Sequence, residues 1–290
     1  MLSQFAGSML GTALGDSLGV PLEGSPFFKE VREIHERYTD DTAMMIGIAE
    51  SLVECRGLDE DHLAMRFMEN FEIEPWRGYG SGPPRIFQMM RQGADWNEEL
   101  DKSFYPGGSY GNGSAMRVAP VGLFYYDADR GELREAVRRT SRITHSHPLA
   151  VEGAAMEAYA VALALQREEN MLERLEEFTG EDIYREKIQA AKRLLNDKAG
   201  RERVVQELGN GIEAFNSVPT AIFSFLSSPS FEEALVYAVS LGGDADTIGA
   251  MCGAVAGAWW GETEIPERWK EKLENRGYLE NLAGKLFRIK

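Results

Sequence analysis

The sequence predicts an all-α protein folded as one compact domain over residues 1–290. Apolar residues recur at i, i+3, i+4 and i+7 through most of the chain, the spacing that places them on one face of a helix. The pair Asn112-Gly113 could close a β-hairpin, but a helical pattern follows it. No Pro-, Gly- or Ser-rich linker interrupts the chain. Strands are therefore expected to be minor or absent, and one domain is expected.

Helical periodicity is clearest in seven segments, which are residues 44–53, 63–71, 115–125, 149–165, 183–195, 231–241 and 248–260. The polar stretch 167–211 keeps a helical pattern and is expected to form surface helices of the same domain. Glycine and alanine are concentrated in residues 6–19 and 249–258. Because glycine in a helix costs up to about 1 kcal/mol relative to alanine, these two helices are expected to pack closely at the centre.

The charge balance limits the classes of ligand. With 31 basic and 47 acidic side chains the net charge is −16, which argues against a surface that neutralises nucleic-acid phosphates. Hydrophobic residues make up 43% and charged residues 27% of the chain, as in a folded soluble protein. An anionic substrate would therefore have to be bound by metal ions or backbone amides.

The remaining bulk features predict a cytoplasmic protein. Cys55 and Cys252 lie in apolar helical segments, so buried thiols in a reducing compartment are expected rather than a disulfide. The apolar N-terminus lacks a basic leader and reaches Asp16 before a plausible cleavage site. No run of about 18 apolar residues predicts a membrane helix.

Two acidic clusters each come directly before a predicted helix. They are Thr39-Asp40-Asp41-Thr42 and Asp244-Ala245-Asp246-Thr247. Either cluster alone could be a helix cap, because Thr and Asp accept from free N–H groups and acids favour a helix N-terminus. Two adjacent carboxylates in both clusters exceed what capping needs and repel one another unless a cation lies between them. Oxygen ligands of this kind suit Mg²⁺, and four aspartates suit a two-metal site.

Two glycine-rich loops lie between the acidic clusters. Residues 77–82 read RGYGSG, residues 107–114 read GGSYGNGS, and both precede helical patterns. Such loops expose backbone N–H groups that bind phosphate without basic side chains. Phe104 and Tyr110 could flank an adenine base. The alternative is that both loops are only long surface turns.

Two further residues are ambiguous on their own. Glu23 lies on a loop marked by Pro21, Gly24 and Pro26, where a solvated surface glutamate is the commoner case. His145 is equally compatible with a helix end or a core position. Neither residue alone indicates a site.

Taken together, these motifs resemble the ADP-ribosylglycohydrolase family. The resemblance spans residues from about 5 to 260 in the family's order, and it rests on Gly15-Asp16, Glu23, residues 38–44, 77–82 and 108–117, Thr144-His145 and residues 243–248. It implies a compact orthogonal helical bundle with a central binuclear metal site that holds two Mg²⁺, or Mn²⁺. The implied metal ligands are Thr39, Asp40, Asp41, Asp244, Asp246 and Thr247.

The resemblance also implies an activity and a set of substrate contacts. The SYGNG loop is most similar to the branch that cleaves O-linked ADP-ribose, namely ADP-ribosyl-serine, O-acetyl-ADP-ribose and poly(ADP-ribose). Glu23 and Asp41 then become the catalytic residues. The implied ADP-ribose contacts are Gly80, Phe104, Gly108, Ser109, Tyr110, Gly111, Asn112 and His145. The implied partners are ADP-ribosylated proteins or ADP-ribose conjugates, acted on by a monomer.

Three alternatives stay open. One is an ADP-ribosyl-arginine hydrolase of the type that activates dinitrogenase reductase. Another is an inactive ADP-ribose-binding relative. A metal-dependent phosphohydrolase cutting the pyrophosphate is less favoured, because the chain contains no His-Asp pair. The short spacing from Glu23 to Thr39 departs from the family pattern and leaves the leaving-group pocket undefined.

Overall fold

The computed structural model describes residues 1–26, 28–35 and 37–290. In that part of the chain no strand forms, and one isolated backbone bridge joins Gly111 to Glu213. The helices are α1 (Leu2–Gly19), α2 (Asp40–Cys55), α3 (Glu60–Ile73), α4 (Gly82–Arg91), α5 (Ala119–Phe124), α6 (Arg130–Ser141), α7 (Pro148–Leu165), α8 (Met171–Phe178), α9 (Asp182–Asn196), α10 (Arg201–Leu208), α11 (Ala214–Leu226), α12 (Phe231–Ser240), α13 (Ala245–Trp260), α14 (Glu267–Lys272) and α15 (Arg276–Ile289).

The all-α prediction is confirmed, although several helix boundaries differ from those expected. Helices α2 and α13 start earlier than predicted, because Asp40 and Asp41 lie in the first turn of α2 and Asp246 lies in that of α13. The predicted helix over residues 115–125 is wrong in its first part. Asn112–Ser114 forms a 3-10 turn and α5 begins only at Ala119. Pro120 explains this, since a proline ring is accepted in a first turn but clashes with a helix continuing from before it.

The centre of the fold is the antiparallel pair α1 and α13, whose backbones touch. A methyl group on Gly11 would lie 2.0 Å from the carbonyl oxygen of Gly253, and one on Gly15 would lie 1.9 Å from that of Gly249. The contact repeats every fourth residue, which is one helical turn. The predicted packing of these two small-residue helices is therefore confirmed. It places the end of α1 beside the start of α13.

Helix α7 is a core helix that packs against α5, α6, α11 and α13. By length and composition alone Pro148–Leu165 could cross a membrane, but 83% of it is buried inside the protein. The polar stretch after it forms α8, α9 and α10, as expected.

The cysteine prediction is half right. Cys252 is a buried free thiol on α13, whereas Cys55 is exposed at the last residue of α2. The prediction for Cys55 was wrong because the helix ends there, with Arg56 in the left-handed conformation that stops it.

Candidate active site

The N-termini of α2 and α13 open onto one cavity of about 290 Å³. The close packing of α1 on α13 continues to Gly19, where a methyl group would lie 2.3 Å from the Cα of Asp246. Directly after α1 a 3-10 turn, Val20–Leu22, leads into Glu23. The chain order therefore brings Glu23 to the acids that begin α13, although more than two hundred positions separate them.

Asp16, near the end of α1, fixes the position of α2. Its buried carboxylate accepts hydrogen bonds from the backbone N–H of Thr39 at 3.0 Å and from the Thr42 hydroxyl at 2.6 Å. The Thr42 N–H donates to it as well, at 3.2 Å. A carboxylate from a neighbouring helix thus caps the start of α2, and Asp40 and Asp41 are held in the first turn facing the cavity.

The second acidic cluster is held by polar contacts on two sides. The Asn112 side-chain amide donates to Oδ2 of Asp244 at 2.5 Å. The Asp244 N–H donates to the carbonyl oxygen of Asn210 at 2.8 Å. The sharp turn that permits this uses Gly242 and Gly243, both at φ +66°. Asp244 is consequently linked to the second glycine-rich loop.

Most of the site residues predicted from the sequence line this cavity. All four aspartates line it, and so does Glu23. The predicted residues in its lining are Glu23, Thr39, Asp40, Asp41, Gly80, Ser109, Gly111, Asn112, His145, Asp244, Asp246 and Thr247. Two clusters and two loops that are far apart in the chain thus share one space.

Three predicted contacts lie outside the cavity lining, namely Phe104, Gly108 and Tyr110. The Phe104 ring packs edge-on against Tyr105 at 5.0 Å, and Tyr105 does line the cavity. The Tyr110 ring is half exposed and packs on His147 and Phe215. Their predicted role beside an adenine base stays a prediction.

Burial and mutual repulsion raise the pKa values of the clustered acids. Burial, followed by the charge of Asp16, raises the pKa of Asp40 to about 7. Burial and the charge of Asp244 raise the pKa of Asp246 to about 8. Burial, with Asp16 and Asp246 adding repulsion, raises the pKa of Asp41 well above its ordinary value. The cluster is thus electrostatically unfavourable when ionised without a cation.

The donor set suits a hard cation. Every predicted ligand atom is a carboxylate or hydroxyl oxygen, the type that Mg²⁺ and Mn²⁺ prefer. Oδ2 of Asp41 is buried and has no hydrogen-bond partner among the described residues. In that same part of the chain, however, no group of three or more His, Cys, Asp or Glu side chains is arranged as a ready-made metal site. The binuclear centre stays a prediction.

A buried carboxylate that the sequence did not single out joins the second glycine-rich loop to the segment after His145. Oδ2 of Asp101 accepts from the Ser109 N–H at 2.8 Å and from the Ser146 N–H at 2.9 Å. Oδ1 accepts from the Ser146 hydroxyl at 2.8 Å. Asp101 therefore sets the relative positions of Ser109 and His145, which both line the cavity.

Two buried arginines support the cavity; Arg117 is part of its lining, whereas Arg77 is not. Arg77 is 4% exposed and makes paired hydrogen bonds to Glu274 and to Glu74. It also donates to the Tyr38 carbonyl oxygen at 3.0 Å. These bonds anchor the first glycine-rich loop beside α2. Arg117 is fully buried and donates to the Thr144 hydroxyl at 2.8 Å. Arg117 ends the motif over residues 108–117, but no local sequence pattern indicated that its side chain is buried.

Comparison with known proteins agrees with this geometry. A model of the ADP-ribosylglycohydrolase family matches residues 1–290. The ADP-ribosylhydrolase ARH3 of Mus musculus is 35% identical, with 99% of this chain and 92% of that protein aligned. The ADP-ribosylarginine hydrolase Tri1 of Pseudomonas putida is 24% identical over 99% of this chain and 78% of that protein.

A solved structure described as an ADP-ribosylglycohydrolase-related protein complex superposes with a TM-score of 0.76. Its sequence identity is 30%, and the match covers 99% of this chain and 98% of that one. Fold, cavity and comparisons together define an all-α hydrolase that acts on ADP-ribosyl glycosidic bonds, as predicted. The chain belongs to the ADP-ribosylglycohydrolase family.

Proposed function

We propose that this hydrolase cleaves the C1″ glycosidic bond of O-linked ADP-ribose in a Mg²⁺-dependent reaction. The substrates would be ADP-ribosyl-serine, O-acetyl-ADP-ribose and poly(ADP-ribose). One observation carries the proposal: Glu23 and two aspartate pairs from opposite ends of the chain line one cavity bordered by two glycine-rich loops. The acids that would act on the reacting sugar thus lie beside the loops whose remaining backbone N–H groups would bind the pyrophosphate.

Similarity favours the O-linked substrate over arginine. The relative named as an arginine hydrolase is 24% identical, whereas ARH3 of Mus musculus is 35% identical. The loop Ser109-Tyr110-Gly111-Asn112 resembles that of the O-linked branch. An ADP-ribosyl-arginine hydrolase remains the second candidate, supported by the Tri1 relative.

Glu23 is proposed as the general acid or base. Cleavage breaks the bond between C1″ and the leaving oxygen, and positive charge develops on the ribose ring. Glu23 would protonate the leaving oxygen or take a proton from the attacking water. Burial is the main cause that raises the pKa values of Asp244 and Asp246, and the nearby charge of Glu23 raises both further. Neighbouring carboxylates would stabilise the developing charge on the sugar.

The six oxygen-bearing residues of the two helix N-termini would hold the metal. Bound Mg²⁺ would neutralise the crowded carboxylates and orient the hydroxyls of the distal ribose. Mn²⁺ uses similar oxygen ligands and is an alternative. Asp16 would keep Asp40 and Asp41 in place through its bonds to Thr39 and Thr42.

The backbone N–H groups of the glycine-rich loops would bind the pyrophosphate, which suits a chain with a net charge of −16. ADP-ribosylated proteins in the cytoplasm would be the partners, and the enzyme would act as a monomer without direct nucleic-acid or membrane binding.

A side-by-side assay tests this proposal. Peptides ADP-ribosylated at serine and at arginine are incubated with the enzyme, with and without Mg²⁺, and free ADP-ribose is measured. We expect faster release from serine, only with Mg²⁺. Faster release from arginine would support the second candidate. Binding of ADP-ribose without turnover of either peptide would indicate an inactive binding protein, and release of AMP would indicate phosphohydrolysis.

A further inference from the structure

At the cavity wall, three buried side chains form a continuous chain of hydrogen bonds. Nη2 of Arg117 donates to Oγ1 of Thr144 at 2.8 Å, and that oxygen lies 2.8 Å from Nδ1 of His145. Arg117 is 0% exposed, Thr144 2% and His145 7%. Arg117 and His145 both line the cavity, whereas Thr144, which joins them, does not. The chain of bonds therefore joins two residues of the cavity wall through a buried threonine.

The order of donors along this chain determines which nitrogen of His145 carries the proton. An arginine guanidinium only donates, so the Thr144 oxygen accepts from Arg117. The Thr144 hydroxyl has a single hydrogen, and its hydrogen bonds within the described residues are those to Arg117 and His145. Were Nδ1 protonated, that buried hydroxyl hydrogen would be unpaired, at a cost of about 1–3 kcal/mol. The hydroxyl therefore donates to Nδ1, and the proton lies on Nε2.

The surroundings also keep the ring uncharged. Burial and the nearby positive charge of Arg117 lower the pKa of His145 to about 3. A neutral imidazole with an acceptor at Nδ1 has one remaining donor, the Nε2–H.

The Nε2 atom faces the second glycine-rich loop at close range. A methyl group on Gly113 would lie 2.6 Å from Cε1 and 2.8 Å from Nε2 of His145. At Gly111 it would lie 3.7 Å from Nε2. No described residue forms a hydrogen bond with Nε2. A ligand lying along the glycine-rich loop would meet this free donor.

We propose that Arg117 and Thr144 are positioning residues that hold His145 as a neutral, Nε2-protonated donor to an oxygen of the bound ADP-ribose. The proposal deepens the proposed function and rests on it for the identity of the ligand. It gives the protein a directed, uncharged donor at the anion-binding loop. It also gives a role to Arg117, a fully buried arginine that lines the cavity and interacts with the charge of Asp40.

Long-range ¹H–¹⁵N spectra of the histidine rings in the ¹⁵N-labelled, ligand-free protein test the tautomer directly. The chain contains four histidines, and His145→Asn assigns the signal of His145. His147 is an internal reference, because the Leu149 N–H donates to its Nδ1 at 3.1 Å and leaves the proton on Nε2. We expect His145 to show the Nε2-protonated pattern at both mildly acidic and neutral pH. An imidazolium or an Nδ1-protonated ring would overturn the proposal.

Paired substitutions at position 144 test the link to binding. Thr144→Val keeps the side-chain shape and removes the hydroxyl, while Thr144→Ser keeps the hydroxyl. We expect the valine variant to show a mixture of tautomers and an ADP-ribose Kd raised by about three- to tenfold, the value of one hydrogen bond. The serine variant should retain the tautomer and the affinity. An unchanged tautomer and affinity in Thr144→Val would overturn the positioning role of Thr144.

Arg117→Lys tests the positioning role of Arg117, with folding checked by thermal unfolding. We expect the Nδ1-protonated form to become detectable, because lysine lacks the guanidinium fork that orients the threonine oxygen. A folded lysine variant with an unaltered tautomer would overturn the part assigned to Arg117. An Nε2-protonated His145 in a protein that does not bind ADP-ribose would contradict the proposed function. It would still support the positioning of His145 by Arg117 and Thr144.

Discussion

The backbone N–H of Gly24 donates to the carbonyl oxygen of Gly243 at 2.7 Å. The Gly243 N–H in turn donates to the carbonyl oxygen of Ser25 at 3.1 Å. Gly24 follows Glu23, and Gly243 precedes Asp244. Two main-chain hydrogen bonds thus fix the proposed general acid relative to the proposed metal ligands. The loop that carries Glu23 is therefore joined through its backbone to the opposite acidic cluster.

Gly243→Ala should damage both stability and activity. The residue has φ +66°, and a methyl group would lie 2.1 Å from the carbonyl oxygen of Asn210. The left-handed conformation costs about 1–2 kcal/mol for alanine, and the clash must also displace the loop before Asp244. We expect kcat/KM for ADP-ribosyl-serine peptides to fall on the order of 100-fold, as for a misplaced catalytic group.

Gly24→Ala is the matched control for this variant. Gly24 has φ +67°, but a methyl group there would meet nothing within 4 Å. It therefore carries the same conformational cost without the clash. Equal losses of activity in the two variants would show that the contact with Asn210 does not matter.

Gly11→Ala should strongly destabilise the protein, because a methyl group would lie 2.0 Å from the carbonyl oxygen of Gly253 and force α1 and α13 apart. We expect a loss of about 3 kcal/mol or more in urea unfolding. Gly277→Ala, on the exposed first turn of α15, is the control, since nothing lies within 4 Å of its added methyl group. It should be neutral or stabilising by up to about 1 kcal/mol. Similar effects at both positions would contradict the close packing.

Asp246→Asn should distinguish the loss of stability caused by the crowded carboxylates from their role in metal binding. Burial and Asp244 make ionised Asp246 unfavourable without a cation, so the variant should have a higher Tm than the wild type in chelator. Mg²⁺ at about 100 times its Kd should stabilise the wild type by about 2.7 kcal/mol and leave the variant unchanged. Turnover should be lost in the variant. Asp182→Asn, on a side chain that is 91% exposed, is the control. An equal Mg²⁺ response in Asp246→Asn and wild type would exclude Asp246 as a ligand.

The parts of this site that could be predicted from sequence are those written in short local patterns. The concentration of glycine and alanine in two segments indicates close helix packing, and acids at two helix starts indicate a shared cation. These two inferences together predict that Asp40 and Asp246 share one site, and the structure does place both in the same cavity.

Asp101, Arg117 and Asp16 could not be given their roles in this way. Each acts through hydrogen bonds to partners at least eight positions away in the chain, such as Ser146 for Asp101. Burial of a polar side chain is decided by the whole packing arrangement, so a local pattern carries no signal for it. The late start of α5 could have been predicted, because Pro120 is visible in the sequence.

Glu157 offers a test of pH-dependent stability away from the cavity. Its carboxyl group is 1% exposed, and neither oxygen has a hydrogen-bond partner among the described residues. Burial raises its pKa well above the ordinary value of 4.5. Because the folded state then binds a proton that the unfolded state has released, stability falls as pH rises above 4.5 and levels off once the folded pKa is passed. The slope contributed by this group is about 1.4 kcal/mol per pH unit.

Glu157→Gln should therefore raise Tm relative to the wild type by an amount that grows with pH from 4.5 towards neutrality. Glu152→Gln on the same helix should do the opposite. Burial of Glu152 is outweighed by the hydrogen bonds that its carboxylate accepts from Arg134 and from the Gly180 N–H, which lower its pKa below 4.5. Its ionised form stabilises the fold above the unfolded pKa, and that stability is lost as pH falls through the folded pKa. The glutamine variant should therefore have the lower Tm at neutral pH. Thermal unfolding of both variants across this range measures the two effects, and parallel Tm curves for Glu157→Gln and wild type would mean that Glu157 remains ionised or solvated in the folded state.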